Sequence, residues 1–334
     1  MFIANPNRYE KMIFRRAGNS GIKLPIVSFG LWNNFSENDD YEKCRTIVYE
    51  AFNNGITHFD LANNYGPKAG NAEIYFGRIL KDGLGKYRDE LFISTKAGYH
   101  MWDGPYGNLG SRKYLISSLD QSLERMGLKY VDLFYHHRED TDTDIRETMI
   151  ALRDIVLQGK ALYVGLSNYH DDKLIEAVTI LKELNVPYVL YQAKYNMFVR
   201  DLEEYKSYKN EFYGGFIAYS ILAQGILSNR YQNGIPEDSR ISLKRTSLKE
   251  TALDENYYKL IEGLDIISKK RNESIACLVT NWCLRNPNMT SVLISCSKIE
   301  QLYDNLKILE SLPLTETEIK EIEDLLNIYK RNKK

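Results

Sequence analysis

The sequence contains few cysteines, and none of them forms a CxxC pair. Cys44, Cys277, Cys283 and Cys296 are the four cysteines of a 334-residue chain. A chain of this length with 43% hydrophobic residues can bury a large core and does not need a disulfide framework for stability. We therefore expect four reduced thiols.

An excess of charge of one sign and long apolar runs are also missing. The 44 basic and 45 acidic residues give a formal net charge of −1, so no overall basic field would attract nucleic acid or an anionic membrane. A run of about 18 apolar residues, as a membrane span requires, occurs nowhere. The first residues, MFIANPNRYEKMIF, lack the apolar run of a signal peptide. These absences favour a cytoplasmic protein without a membrane segment.

What the sequence does contain is a repeat of short strand-like runs and helical segments. Segments such as YEKCRTIVYEAFNNG and RKYLISSLDQSLERMG have apolar residues at helical spacing and end at a glycine. Eight such units of roughly 35 residues suit a closed parallel barrel, because right-handed crossovers place every helix outside the strands. The predicted strands cover residues 26–30, 57–61, 91–96, 131–136, 161–166, 188–193, 215–220 and 291–295.

A doubly wound open sheet is the main alternative to the barrel. Its nucleotide-binding fingerprint, GxGxxG between the first strand and the first helix, is absent, and GLWNNF stands there instead. We therefore predict an α/β protein, a single (β/α)8 TIM-barrel domain over residues 1–334. Additions to the repeat are an N-terminal β-hairpin at 12–25, a long loop at 225–255 and an extra C-terminal helix at 315–330.

Polar side chains recur at the carboxyl ends of the predicted strands. In a (β/α)8 barrel these ends meet at one rim, where the active site of such enzymes lies. A phenol beside a charged lysine is expected to have its pKa pulled below about 10, so that it can donate a proton near neutral pH. The rim residues are Trp32, Asp60, Tyr65, Lys96, His136, His137, Ser167, Asn168, Gln192, Tyr219 and Ser220.

Ordered blocks along essentially the whole chain resemble the aldo-keto reductase superfamily. They are THFDLANNYG, STKAGY, VDLFYHH, GLSN, AYSILAQG and SVLISCSKIEQLYDNL. The stretches LANNYGP, STKAGYHMWDGPYG, GSRKYL, DQSLERMGLKYVD and NGIPEDSR are similar to the bacterial L-glyceraldehyde 3-phosphate reductase branch and, more distantly, to the β subunits of voltage-gated potassium channels. The resemblance implies a TIM-barrel oxidoreductase that reduces small aldehydes or ketones to alcohols with NADPH.

The same resemblance implies roles for four residues. Tyr65 would be the general acid that protonates the carbonyl oxygen, Lys96 would lower its pKa, and Asp60 would pair with Lys96. His137 would orient the carbonyl, while the cofactor supplies the hydride and the protein supplies geometry and electrostatics. The residues expected around the substrate are Trp32, Tyr65, Trp102 and His137.

The resemblance also implies how the cofactor lies across the barrel mouth without a Rossmann domain. The carboxamide would bind Ser167, Asn168 and Gln192, and the nicotinamide would stack on Tyr219. Backbone donors after the seventh strand and two arginines of the long loop would hold the pyrophosphate. The full set of expected cofactor contacts is Trp32, Asp60, Ser167, Asn168, Gln192, Tyr219, Ser220, Leu222, Gln224, Gly225, Arg230, Arg240, Ser295, Ser297, Lys298, Gln301 and Asn305.

Departures from the family pattern concern the adenosine end of that cofactor. Ser295 and Cys296 stand where relatives have glycine and alanine, and Lys298 stands where close relatives often have arginine. Lysine meets a phosphate as a point charge and lacks the bidentate fork of arginine. We expect NADPH (NADP+) as the cofactor, with NADH less favoured.

The segment FYHHRED places His136 and His137 side by side, which suggests a metal site with Glu139 and Asp140 as an alternative. Adjacent strand residues project to opposite sides, so the two imidazoles cannot easily share an ion, and we expect no metal. In the family the catalytic histidine follows the aspartate that begins the fourth strand by five residues. Counting from Asp132, this position is His137, and His136 is expected in the surrounding packing.

The partner and the substrate remain open. A regulatory subunit that binds NADPH and a membrane partner, as the channel β subunits do, is the alternative to an enzyme. The expected substrate is a short polar aldehyde such as L-glyceraldehyde 3-phosphate or methylglyoxal, with Arg112 and Lys113 as candidate anion-binding residues. Members of the resembled branch assemble into tetramers or larger rings, so the resemblance implies a homo-oligomer.

Overall fold

The chain forms a closed barrel of eight parallel strands with a hairpin at one end. The computed structural model describes residues 2–210, 213–237, 239, 241–242, 248 and 250–332. The hairpin strands are β1 (Phe14–Arg16) and β2 (Lys23–Pro25), and the barrel strands are β3 (Val27–Gly30), β4 (His58–Asp60), β5 (Phe92–Ala97), β6 (Val131–His136), β7 (Ala161–Ser167), β8 (Tyr188–Lys194), β9 (Gly215–Tyr219) and β10 (Met289–Ile294). The barrel strands pair in chain order, and β10 pairs with β3 to close the circle.

Helices cover the outside of the barrel. They are α1 (Tyr41–Asn53), α2 (Asn71–Lys81), α3 (Arg112–Met126), α4 (Ile145–Leu157), α5 (Asp171–Glu183), α6 (Glu255–Lys270), α7 (Ile275–Leu284), α8 (Ile299–Leu306) and α9 (Glu316–Asn332). The predicted fold, a (β/α)8 barrel with an N-terminal hairpin and an extra C-terminal helix, is confirmed. The alternation fails once, because the described part of the segment between β8 and β9 forms only the 3-10 turns Asp201–Glu204 and Ser207–Lys209.

Side-chain caps fix where several helices begin. The Asp40 carboxylate accepts hydrogen bonds from two backbone N–H groups of the first turn of α1, and Ser111 and Ser274 cap α3 and α7 in the same way. At the other end of α3, Gly127 has φ of 66°, a left-handed conformation that glycine adopts without strain. The predicted helix boundaries therefore follow from local chemistry.

The hairpin closes the amino-terminal end of the barrel. Ala17 and Leu24 from the hairpin pack in one cluster with the interior residues Leu133 and Ile217. A Cβ atom on Gly215 would lie 2.7 Å from the Cα atom of Ala17, so this close approach requires glycine. Among the residues that the structure describes, every helix is too short or too polar to cross a membrane. The carboxyl end of the barrel is the end that stays open.

Candidate active site

A cavity of about 1090 Å³ lies at the carboxyl ends of the barrel strands and continues between α1, α8 and the loop after β9. Most of the residues predicted for the site line it. They are Trp32, Asp60, Tyr65, His137, Asn168, Gln192, Tyr219, Ser220, Leu222, Gln224, Gly225, Arg230, Ser295, Ser297, Lys298, Gln301 and Asn305. The prediction that the strand ends form one site is therefore supported by their position around a single cavity.

Three predicted residues are placed differently, and a fourth is not described. Lys96 is fully buried behind Tyr65, and Ser167 is buried with its hydroxyl accepting a hydrogen bond from the Asn168 side chain at 3.1 Å. The Trp102 ring packs on the Tyr114 ring with centroids 5.2 Å apart, and Trp102 is not part of the cavity lining. The predicted contact of Arg240 lies outside the described residues.

Lys96 connects the carboxylate of Asp60 to the phenol of Tyr65. The Lys96 Nζ atom donates to Asp60 Oδ2 at 2.5 Å, to the Leu61 carbonyl oxygen at 2.7 Å and to the Tyr65 hydroxyl at 3.1 Å. The three contacts use all three donors of the ammonium group. Burial lowers the pKa of Lys96, and the charge of Asp60 opposes that effect. The strand ends of β4 and β5 thus hold a buried ion pair directly below the phenol.

The expected lowering of the Tyr65 pKa is wrong for this structure. The Tyr65 side chain lines the cavity and is partly buried. Burial raises the pKa of Tyr65 well above 10, and the negative charge of Asp60 raises it further. The ammonium of Lys96 favours the phenolate, but Asp60 pairs with that same ammonium, so the net effect of the pair is small compared with burial. Tyr65 therefore keeps its proton at neutral pH.

The two adjacent histidines lie on opposite sides of β6. His136 is fully buried, and its Nδ1 atom forms a hydrogen bond of 2.6 Å with the Tyr169 hydroxyl outside the strand. His137 lines the cavity, and its ring contacts the edges of Tyr65 and Tyr99 at centroid distances of 5.8 and 4.7 Å. The predicted separation of the pair is confirmed. Within the described ranges, no group of three or more His, Cys, Asp or Glu side chains is placed to hold a metal ion.

His137 is neutral. Burial lowers its pKa well below 6.5, and the nearby charge of Lys96 lowers it further. Its Nδ1 atom is buried without a hydrogen-bond partner. A neutral imidazole has one N–H donor and one acceptor, so His137 can donate a single hydrogen bond to a group in the cavity.

A second group of polar residues lies where β7 and β9 end. The Tyr219 hydroxyl donates to Asn168 Oδ1 at 2.7 Å, and the Asn168 amide donates to the His137 carbonyl oxygen at 3.0 Å. Asn168 has φ of 54°, a conformation that asparagine tolerates better than most residues. The phenol ring of Tyr219 is therefore fixed beside the cavity by its neighbours on the rim.

The backbone after β9 is unusual in conformation. Ser220, Ala223 and Gln224 have φ of 56°, 44° and 63°, and Gly225 has φ of 98°. Clusters of such residues are uncommon. Within this one, the N–H groups of Ala223 and Gly225 already donate to the Ser220 and Leu222 carbonyl oxygens at 2.9 and 2.8 Å. Three of the four residues line the cavity, so this segment is a candidate for contact with a phosphate group.

At the far end of the cavity, the start of α8 presents polar atoms. The Gln301 side-chain oxygen accepts hydrogen bonds from the backbone N–H groups of Ser297 and Lys298 at 2.9 and 3.2 Å. Asn305 Oδ1 and Ser295 Oγ are buried without a hydrogen-bond partner. Unpaired buried polar atoms are costly in free energy, and these two belong to residues that line the cavity.

Residues of the loop between β3 and α1 also line the cavity, and the sequence did not indicate them. Asn33, Asn38 and Asp39 come from this loop, and Lys43 comes from the first turn of α1. The segment NNFSENDD has the composition of an ordinary turn, so its sequence does not distinguish a loop that lines a cavity from a solvent-exposed connection. Lys194, at the end of β8, is a further lining residue that was not predicted.

Arg112 is not part of the cavity. Its guanidinium forms an ion pair with Asp154 on α4, and its backbone N–H donates to Glu147 at 3.1 Å. Lys113 lies over the Tyr106 ring with its Nζ atom 5.4 Å from the ring centroid. The proposed role of these two residues in binding a substrate anion is therefore not supported by their positions.

Comparison with known proteins agrees with this geometry. Residues 26–327 match the aldo/keto reductase family. The chain is 45% identical over 329 residues to the L-glyceraldehyde 3-phosphate reductase of Escherichia coli strain K12, covering 97% of this chain and 95% of that protein. The enzyme of the same description from Escherichia coli O157:H7 has the same identity and coverage. The chain belongs to the aldo/keto reductase family of oxidoreductases.

Proposed function

We propose that the chain reduces short polar aldehydes with NADPH, that Tyr65 donates the proton, and that L-glyceraldehyde 3-phosphate is the best candidate substrate. The observation on which this rests is the contact of the Lys96 ammonium with both Asp60 and Tyr65 at the base of the cavity. The substrate class follows from the relatives named above, which match over nearly the full length of the chain.

Polar groups in the cavity could bind the adenine and phosphate groups of a nicotinamide dinucleotide. The unpaired Asn305 Oδ1 atom can accept a hydrogen bond from an adenine amino group, and Ser295 Oγ lies in the same cavity. The segment from Ser220 to Gly225 lines the same cavity and is the candidate contact for the pyrophosphate. When bound, the cofactor would supply the hydride, and Lys298 would face its 2′-phosphate as a single positive charge.

The chain's own groups supply the proton and the orientation. Tyr65 enters the reaction protonated because its pKa is raised, and its hydroxyl can hydrogen-bond to the oxygen of a carbonyl substrate. His137 offers one N–H to the same oxygen. As the phenol loses its proton, the Lys96 ammonium at 3.1 Å stabilises the negative charge that forms on the Tyr65 oxygen. Asp60 keeps that ammonium in place.

The two histidines should respond very differently to substitution. His137→Ala removes the neutral donor beside Tyr65, and we expect kcat/KM for aldehyde reduction to fall by about 10²-fold, at the low end for a general acid–base group. His136→Ala removes a buried bond to Tyr169 and should lower thermal stability with less than about a threefold change in kcat/KM. Steady-state kinetics and thermal melting of both variants test this, and the opposite order of activity loss would contradict it.

Lys194 is the candidate partner for a substrate phosphate. It follows Gln192 on the same face of β8, lines the cavity, is exposed, and lies beside Tyr219 in the strand register. A charge-assisted hydrogen bond contributes about 1.5–3 kcal/mol, which corresponds to roughly tenfold or more in affinity. Lys194→Met should therefore raise KM for L-glyceraldehyde 3-phosphate by about tenfold or more and change KM for unphosphorylated glyceraldehyde by less than about twofold.

The assay is the loss of NADPH absorbance with L-glyceraldehyde 3-phosphate, glyceraldehyde, methylglyoxal and an aromatic aldehyde. Lys206→Met, an exposed lysine outside the cavity lining, is the matched control. An equal rise in KM for both glyceraldehydes, or a rise in KM for NADPH, would assign Lys194 to the cofactor or to general packing instead. Tight NADPH binding without turnover of any aldehyde would favour the regulatory role over the enzyme.

A further inference from the structure

A row of hydrogen-bonded side chains lies inside the barrel below the Asp60–Lys96 pair. The Ser291 and Ser28 hydroxyls are 2.6 Å apart, and Ser28 Oγ lies 2.8 Å from His58 Nδ1. On the other side of the imidazole, His58 Nε2 lies 3.0 Å from Ser94 Oγ. Ser94 Oγ then donates to Asp60 Oδ1 at 2.6 Å. Ser291, Ser28, His58 and Ser94, which we call the interior chain, are all fully buried.

The donor and acceptor of every hydrogen bond in the interior chain follow from the bond between Ser94 and Asp60. The Asp60 carboxylate, paired with an ammonium, can only accept, so the single hydroxyl proton of Ser94 is used in the bond to Asp60. Ser94 must therefore accept from His58, which requires the proton on Nε2. The Nδ1 atom of His58 is then an acceptor, so Ser28 donates to it and in turn accepts from Ser291.

His58 must be neutral for this arrangement, because an imidazolium has N–H groups on both ring nitrogens and could not accept from Ser28. Burial lowers the pKa of His58 to about 4, with Asp60 raising it and Lys96 lowering it by smaller amounts. The imidazole also packs edge-on against Phe92 with ring centroids 5.4 Å apart, which restricts its rotation. The ring is thus fixed in position and in protonation.

We propose that His58, through Ser94, is a positioning residue for the catalytic pair, acting by directing a polarised row of donors onto Asp60 Oδ1. The inference rests on the proposed function and deepens it. With Oδ1 occupied by Ser94, and by Gln192 Nε2 at 3.2 Å, the Oδ2 atom of Asp60 is left to the Lys96 ammonium. The carboxylate cannot rotate away from Lys96 without breaking these bonds, so Lys96 stays within reach of the Tyr65 hydroxyl.

The interior chain suits electrostatic support better than proton delivery. Bonds that all donate in one direction polarise one another, and the effect is stronger in a dry interior than in water. Its far member, Ser291, is fully buried in β10, so the row has no solvent-exposed end there. The row therefore stabilises the negative charge of Asp60 without a path for proton uptake.

The tautomer of His58 is the first test. We expect NMR of protein labelled with ¹⁵N-histidine to show His58 protonated at Nε2 only, with no titration between about pH 6 and pH 9. His58→Gln identifies the signal among the five histidines. A proton on Nδ1 would overturn the proposal. This measurement needs no turnover, so it stands apart from any failure of the proposed function.

The second test is kinetic. Ser94→Ala removes the donor to Asp60 and should lower kcat for aldehyde reduction by about tenfold, with KM for the aldehyde changed by less than about twofold. His58→Leu should do the same, while His58→Gln, whose amide can donate to Ser94, should recover to within about threefold of wild type. Ser291→Ala, at the far end, should have a smaller effect than Ser94→Ala.

The matched control is Ser268→Ala, a buried serine that donates to a backbone carbonyl in α6 away from the cavity. If Ser94→Ala and Ser268→Ala lowered kcat equally, or if the losses followed melting temperature instead of position in the row, the interior chain would be structural only. Ser94→Ala is the milder change and remains informative should His58→Leu fail to fold.

Discussion

Tyr65→Phe is expected to lower kcat for aldehyde reduction by about 10²- to 10⁴-fold, the range for loss of a general acid, with nearly unchanged NADPH affinity. The substitution removes only the hydroxyl that contacts Lys96 Nζ at 3.1 Å. The ring, with its edge contact to His137, is retained. Steady-state kinetics gives kcat, and fluorescence titration gives the dissociation constant of NADPH. An unaltered kcat would exclude Tyr65 as the proton donor.

The pH dependence of kcat in the wild type is a second test of Tyr65 as the proton donor. Reduction needs the protonated phenol, so activity is present below the pKa of Tyr65 and is lost as the pH rises through it. Because burial raises that pKa well above 10, kcat should be flat from about pH 6 to pH 9. The lowered pKa of His137 removes any acidic limb near its ordinary value. A basic limb near neutral pH would show that Lys96 controls the phenol after all.

Tyr130→Phe is the matched control for this substitution. Tyr130 lies one residue before β6, at the end of the barrel opposite the cavity, and its ring stacks on the Arg88 guanidinium. Removing its hydroxyl should leave kcat within about twofold, as for a surface change away from the site. Comparable losses in the two variants would indicate a general effect of removing a tyrosine hydroxyl.

Lys96→Met is expected to have the largest effect on stability. It leaves the Asp60 carboxylate, which is 1% exposed, without its counter-charge in the barrel interior. Breaking a buried ion pair on one side costs about 3–5 kcal/mol, so the free energy of unfolding should fall by that amount. Denaturation in urea, followed by circular dichroism, measures the change. Activity should be lost as well, since the phenolate that forms on Tyr65 would lack a cation.

A second substitution shows whether Lys96→Met is destabilising because of the unpaired charge or because of a packing defect. Adding Asp60→Asn to Lys96→Met removes the unpaired charge and should recover part of the lost stability but none of the activity. Lys259→Met, which breaks an exposed pair with Glu255 in α6, should leave the urea midpoint of unfolding nearly unchanged. If Lys96→Met were no more destabilising than Lys259→Met, the buried pair would not have the energetic role assigned to it.

Much of the fold can be predicted from the sequence because parallel barrel strands are continuous apolar runs bounded by turn residues. The run predicted at 131–136 is β6, and the predicted hairpin and final helix are present with bounds shifted by one or two residues. The segment between β8 and β9 is the exception. Its large buried residues, Leu202 and Tyr208, pack from 3-10 turns, and periodicity does not distinguish such turns from a helix.

The position of the site could be predicted, but its electrostatics could not. Strand ends meet at one rim by topology alone, so Tyr65 and His137 can be placed there from their order in the chain. The sign of the Tyr65 pKa shift depends on how deeply the side chain is buried, and that burial can be determined only from the structure. The interior chain could not be predicted from the sequence either, because the pairing of Ser28 with His58 depends on the register of β3 and β4.

The hairpin packs against the amino-terminal ends of the barrel strands and covers that end of the barrel interior. Ala17 and Leu24 fill the lower end, and the open end faces the cavity. In the part of the chain that the structure describes, the interior faces the cavity at its carboxyl end, so we expect deuterium from solvent to reach the interior hydroxyl and imidazole protons from that end or when the protein unfolds. Any ligand that fills the cavity should therefore block solvent access from that side and slow isotope exchange at His58 and Ser94 together.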